Sequence, residues 1–459
     1  MELSELPHGV LAVLAREYLL CGHLIDRAGM PYVIASFDRE EMGAIAIDEW
    51  MGASPVYTRR MQELLGFAGD DVETIFKGMQ FDIGAPHGFL DFRYTVHDRN
   101  HGGFQLDHCG ALMDVEPMGE EFVRTMCHDI EDPTFDATAA ATNPRARMTP
   151  LHRPPREPAD RSPHCAWTVD IEAAAEPILE AGITAQVAAG VAAATPLPVI
   201  TPRSSDGSAG HGGSDTEGSD TEGGDTEGGD TEGGDTEGSA LRDDYSGALV
   251  DRIATEEFSV PALVAIIEEL CLQQHLLAHA FMVAVANRHG DSLARELGEH
   301  QFVGSAGMSS QRLAAALSVH CSTEAELQTP LDLLADVLSI HPALRPRTYV
   351  DVQVTSAVDH VDLSLLESPG TLDDSPFSWP ALLRDGCDRA VAAMVAGVHP
   401  NLSCAAVEPP PGTVARWRVE VAAEPVTQQP EVTLAEFSTG THFELPSPEP
   451  TAVEVRRRS

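Results

Sequence analysis

The sequence predicts an α+β fold made of two similar repeats, each with N-terminal helices followed by a small antiparallel sheet bearing a helix, the two packed as a pseudo-dimer. Three observations predict it. A low-complexity acidic stretch divides the chain, the segments on either side match colinearly, and within each half apolar residues spaced at the helical period give way to alternation of period two.

The divider is the run 201–239, where SDTEG and GDTEG repeat with almost no apolar residue. Such a segment buries too little to offset its ordering entropy, so it is expected to be a disordered linker. It separates a first unit, 6–200, from a second, 240–425, and leaves 426–459 as an expected disordered tail.

The match between the units is gapless in pieces. QLDHCGALMD (105–114) lies on LLESPGTLDD (365–374) at a shift of 260 residues, which pairs Leu106 with Leu366, Gly110 with Gly370 and Cys127 with Cys387. Upstream, Glu17, Leu20 and His23 meet Glu269, Leu272 and His275 at 252, and Trp167 meets Trp417 at 250.

Element by element, Pro7 opens an apolar-periodic helix that is expected to end near Gly29, followed by helices near 38–50, 54–66 and 70–79. GFLDFRYTV (88–96) and GFQLDH (103–108) alternate as strands around a polar turn, 117–131 reads as a helix, and ARMTPLH and CAWTVDI close the unit as strands. The Val/Ala-rich stretch 181–195 reads as a packing helix, broken before it could span a membrane.

Composition excludes some functions. With 72 acidic against 29 basic residues and a net charge of −43, the chain lacks the basic stripe that phosphate neutralisation needs, so no nucleic-acid partner is expected. The N-terminus MELSELPHGV carries no basic region followed by an apolar core, so the expected setting is cytoplasmic, with no membrane partner and with reduced thiols.

Residues 97–165 hold His97, His101, His108, Cys109, Cys127, His128, His152, His164 and Cys165, nine of the chain's 19 His and 8 Cys. Imidazole nitrogen and thiolate suit zinc or iron, and His108, Cys109, Cys127, His128, His152 and Cys165 are the candidate ligands. The ligands would converge from a strand end, a helix and the closing strands, as in catalytic metal sites. The gapless matches replace His108, Cys109, His152 and Cys165 by Ser368, Pro369, Glu408 and Ala415, which points to one active and one degenerate copy.

The run from a Cys after a strand (Cys109), through a helix bearing Cys127, to a strand with Cys165 and Trp167 resembles the L-2-amino-thiazoline-4-carboxylic acid hydrolase-like family, over about residues 10–172 and more faintly 255–421. The resemblance implies hydrolysis of a C–N or C=N bond in a small heterocycle, with cysteine chemistry as one route. Two mechanisms are open: a divalent zinc or iron ion that activates water, or attack by Cys127 with His128 or His152 as base. Arg124, Arg145, Arg147, Arg153 and Arg156 are candidates to dock a substrate carboxylate, and Asp107, Asp114 and Asp129 to orient imidazoles. The partner is then a small-molecule substrate or ligand; the alternatives are a non-enzymatic metal or ligand sensor and an iron or haem protein.

Overall fold

A computed structural model describes residues 1–201, 241–320, 329–446 and 453–455, so the acidic stretch expected as a linker lies outside the described residues. The first unit opens with α1 (His8–Ser36), α2 (Arg39–Leu64) and α3 (Val72–Met79). The hairpin β1 (Leu90–Asp98) and β2 (His101–Cys109) leads to α4 (Gly110–Val115). Then α5 (Glu120–Arg124) runs through a π turn, Thr125–Ile130, into α6 (Glu131–Thr142), and β3 (Ala146–His152), β4 (Cys165–Ile171) and α7 (Gly182–Ala188) complete the unit.

The second unit repeats this order with α8 (Val260–His289), α9 (Asp291–His320), α10 (Pro330–Ile340), β5 (Val352–Ser356), β6 (His360–Leu366), α11 (Pro369–Leu372), α12 (Trp379–Arg384), α13 (Asp388–Val398), β7 (Leu402–Ala406) and β8 (Thr413–Val421). Beyond it come α14 (Pro430–Ala435), α15 (Thr439–His442) and β9 (Glu454–Val455). The tail expected to be disordered from 426 is therefore ordered over much of its length. Its Val432 is fully buried, and Ser438 and the Thr439 amide bind the Asp114 carboxylate.

Two helices outrun their expected ends. Pro31 sits inside α1 and Pro55 inside α2, so the helices expected at 38–50 and 54–66 are one. A proline removes one intrahelical hydrogen bond, a local cost that packing on both sides of these helices overrides.

Each unit has a four-stranded antiparallel sheet, and the strand orders correspond: β3-β4-β2-β1 in the first, extended by a short parallel pairing of β9 on β1, and β7-β8-β6-β5 in the second. Hydrogen bonds repeat in kind. Gly110 N donates to Phe89 O at 2.8 Å and Gly370 N to Tyr349 O at 2.9 Å, while Ile178 N donates to Pro144 O at 2.7 Å and Val426 N to Pro400 O at 2.8 Å.

Two of the sequence matches shift. Trp167 pairs with Phe104 and Trp417 with Leu363, so β2 lies on β6 at 259 and Leu106 corresponds to Leu365. An irregularity between Leu365 and Leu366 restores 260 at Gly370. Both α6 and α13 lead into their next strand through three residues containing Pro144 or Pro400, which aligns them at 256. Cys387 thus corresponds to Glu131, and Cys127 lies a turn earlier, in the π turn.

The units meet through helices rather than through their sheets. α1 packs on α9 and α2 on α8, a swap related by a pseudo-twofold. Symmetry extends to the charges: Arg60 grips Glu269 at 2.6 and 2.9 Å, and Arg312 grips Glu17 at 2.6 and 3.0 Å. Each guanidinium also donates to the carbonyls of a following turn, Ala193 and Thr195 for Arg60, Gly440, Thr441 and Phe443 for Arg312. Among the described residues α8 is long and apolar enough to cross a membrane, and 78% of its most apolar window is buried inside the fold.

Candidate functional site

The sequence-predicted residues do not form one centre. His97 and His101 sit at the hairpin end of β1 and β2, where His101 Nδ1 meets Asp98 at 2.7 Å. His108 stacks on Phe443 and tilts toward His164, with His108 Nε2 and His164 Nδ1 buried without hydrogen-bond partners. His128 Nε2 donates to Pro154 O at 2.6 Å. His152 ends β3, and burial and Arg161 lower its pKa.

Cys109, Cys127 and Cys165 are buried and feel one another electrostatically. Burial drives all three thiols up, Cys109 to about 12, and the Glu131 carboxyl adds to the rise. Cys109 has a local task as well, because its Sγ accepts from Leu112 N at 3.3 Å and caps α4. Among the described residues no group of three or more His, Cys, Asp or Glu is arranged to hold a metal ion.

Four of the five candidate arginines are spent on neighbours, and the Nε of the fifth, Arg145, is buried without a hydrogen-bond partner. Arg124 binds Glu120, Arg147 binds the Glu176 carbonyl, Arg153 pairs with Asp132, and Arg156 grips Glu116 at 2.8 and 2.9 Å. Asp107 pairs with Arg93 and Asp114 with Arg27, so neither orients an imidazole.

A chamber of about 110 Å³ is enclosed in the same unit between α1, α2, α6 and the inner face of the sheet, and of the candidate ligands only Cys109 lines it. It is lined by His23, Asp26, Trp50, Ser54, Asp82 and Glu131 among others. A larger groove of about 480 Å³ shares Asp26, Trp50, Met126 and Ile130 with it, and continues over Met30, Met42 and Phe122 to Leu434 and Phe437 of the C-terminal segment.

Polar groups in the chamber are held but not saturated. His23 Nε2 donates to Gly84 O at 3.1 Å, which leaves Nδ1 as a free acceptor; burial lowers the ring's pKa to about 4, so it is neutral. Asp26 Oδ2 accepts from Trp50 Nε1 at 3.1 Å, and its Oδ1 has no partner. Burial raises the Asp26 carboxyl despite the nearby Arg27, and a second buried acid, Glu49, interacts with it electrostatically. Glu131 Oε2 is buried and unpartnered, and burial raises this carboxyl to about 8 against the opposing pull of Arg153. Asp82, also raised by burial to about 6, accepts from Tyr57 Oη and Gly84 N, each at 2.7 Å.

The second unit shows what the fold requires at these places. The 252 register, which also equates the N-terminal ends of α2 and α9, puts Ala278 at Asp26, Phe302 at Trp50 and Ala306 at Ser54. On the other wall, Pro342 stands for Asp82, Cys387 for Glu131, Ala390 for Thr134 and Met394 for Thr138. Of the polar residues of the chamber, only His23 keeps its identity, as His275. Trp379 fills the equivalent space, stacked on Phe302 at 4.8 Å and edge-on to His275 at 5.5 Å.

Sequence reasoning missed Asp26, Asp82 and Glu131. The available signal was Asp26, a carboxylate on the face of α1 that carries Leu19, Met30 and Val33. Glu131 gave none, since only the π turn rotates it inward. Comparison with protein-family models, curated proteins and solved structures returned no match.

Proposed function

We propose that the N-terminal unit binds a small molecule and hydrolyses a C–N bond in it by carboxyl acid–base catalysis, while the C-terminal unit is scaffold. The carrying observation is the internal contrast: one fold, built twice, keeps buried acids around a chamber in one copy and fills the same place with apolar side chains in the other. Burying unpartnered carboxyls costs stability. The second copy folds without them, so they serve something besides folding.

The two carboxyls are suited to opposite roles. Asp26 is the less raised of the two and is cast as the base that takes a proton from water; Glu131, which burial holds to about 8, keeps the proton that a departing nitrogen needs. Water's hydroxyl then bonds to the carbon as the C–N bond breaks, and the products leave Asp26 protonated and Glu131 ionised. His23 Nδ1 is placed to accept a hydrogen bond from substrate or water.

Catalysis by a free cysteine has less support, because the thiols sit beside Glu131 and burial holds them protonated. The test is a screen of small amides and cyclic amidines for amine release, repeated with Asp26→Asn and Glu131→Gln. Loss of turnover in both is expected, and turnover surviving in the double variant would refute the assignment.

A further inference from the structure

We propose that the ligand is an amphipathic amine or releases one, its ammonium head held by Asp26 and Glu131 in the chamber and its apolar body lying along the groove. The inference rests on the chamber being the functional site, and it names what the site selects. Charge comes first. The ionisable lining of the chamber is three carboxylic acids, one neutral histidine and the Cys109 thiol, which burial keeps protonated, and the nearest guanidiniums are engaged, Arg27 with Asp114 at 2.8 Å and Arg153 with Asp132. An anion would add like charge to buried acids, whereas a cation relieves them.

Satisfaction comes second. Asp26 is only 8% exposed, yet its Oδ1 lacks a partner, and Glu131 Oε2 is orphaned in the same cavity. Both are acceptors when ionised, and an ammonium carries three donors. Third, Trp50, Phe92 and Phe135 line the chamber with aromatic surface, which attracts cations. The groove beyond offers thioethers and rings, Met30, Met42, Phe122 and Phe437, a deformable apolar channel for an alkyl or aryl body. Its one cation, Arg27, has an unpartnered Nη2, so a carboxylate ligand is the competing chemistry that the test must include.

The experiment titrates the full chain calorimetrically at pH 7 with octylamine, octanol and octanoate, which share a body and differ in the head. Octylamine is expected to bind tightest. Asp26→Asn is expected to weaken it ~10-fold or more, the size of a lost charge-assisted hydrogen bond, and Glu131→Gln, which keeps the carbonyl acceptor of the protonated acid, to weaken it less. His275→Gln, at the equivalent of His23 in the second unit, should leave that affinity at the native value. Octanol or octanoate binding at least as tightly as octylamine overturns the amine assignment and leaves the chamber as the site. No binding by any of the three overturns both. The comparison of three heads on the native protein stands even where a variant fails to fold.

Discussion

Replacing Glu131 by Gln isolates the consequence of burying one acid. In the unfolded chain this carboxyl titrates near 4.5; in the folded protein burial holds it to about 8. Between those values the unfolded state has lost its proton while the folded state keeps it, so native stability falls as pH rises. The slope is ~1.4 kcal/mol per pH unit, and the loss levels off above about 8. Over the whole window the difference reaches at most ~5 kcal/mol. Gln is the isostere of the protonated acid and has no proton to lose. The Glu131→Gln protein should therefore match the native one near pH 5 and become progressively more stable than it up to pH 8. The assay is urea unfolding at fixed pH values, each variant fitted with its own slope. Native and variant curves that run parallel from pH 5 to 9 would show that the carboxyl is solvated and would remove the acid from the proposed mechanism.

Three further outcomes follow from the packing. Cys109, Cys127 and Cys165 should resist iodoacetamide at pH 8 in the native protein and react once it is unfolded, because burial keeps them as thiols; prompt native alkylation, or stoichiometric zinc or iron by elemental analysis, would restore the cysteine-centred reading. Arg60→Ala and Arg312→Ala should each cost ~3–5 kcal/mol, since each strands a buried glutamate at a pseudo-symmetric position; a loss below ~1 kcal/mol in either, measured by chemical unfolding, would mean that the pair is effectively solvated. Truncation after Val426 removes buried Val432 and the partners of Asp114, and should lower Tm and abolish groove binding, whereas an unchanged Tm would show the segment to be an ornament.

The α+β class, the duplication and the course of most elements were legible in the sequence because they rest on local patterns. Apolar period marks helix and strand, Pro7 and Asp38 mark helix starts, and a tandem repeat announces itself in colinear matches such as Glu17 with Glu269. The site was legible only in its half of the chain. The reading that one copy is active and the other degenerate rested on His and Cys, whose enrichment is visible in one dimension, while the thiols lie as buried neighbours of Glu131, an acid that the sequence did not single out.

Which residues share a cavity was decided by tertiary structure alone. Asp26, Asp82 and Glu131 lie far apart along the chain, on α1, after α3 and at the start of α6, and their convergence depends on how α1 and α2 lie over the sheet and on one π turn. A pattern of periods fixes which face of an element is buried, not what it meets there. The C-terminal segment makes the same point, since its composition suggests disorder while its docking onto α9 and over the groove supplies the apolar contacts that its sequence neighbours do not. Local propensity is encoded within a turn or two of chain, but burial of a charge, and the pKa it imposes, is a property of everything packed around it.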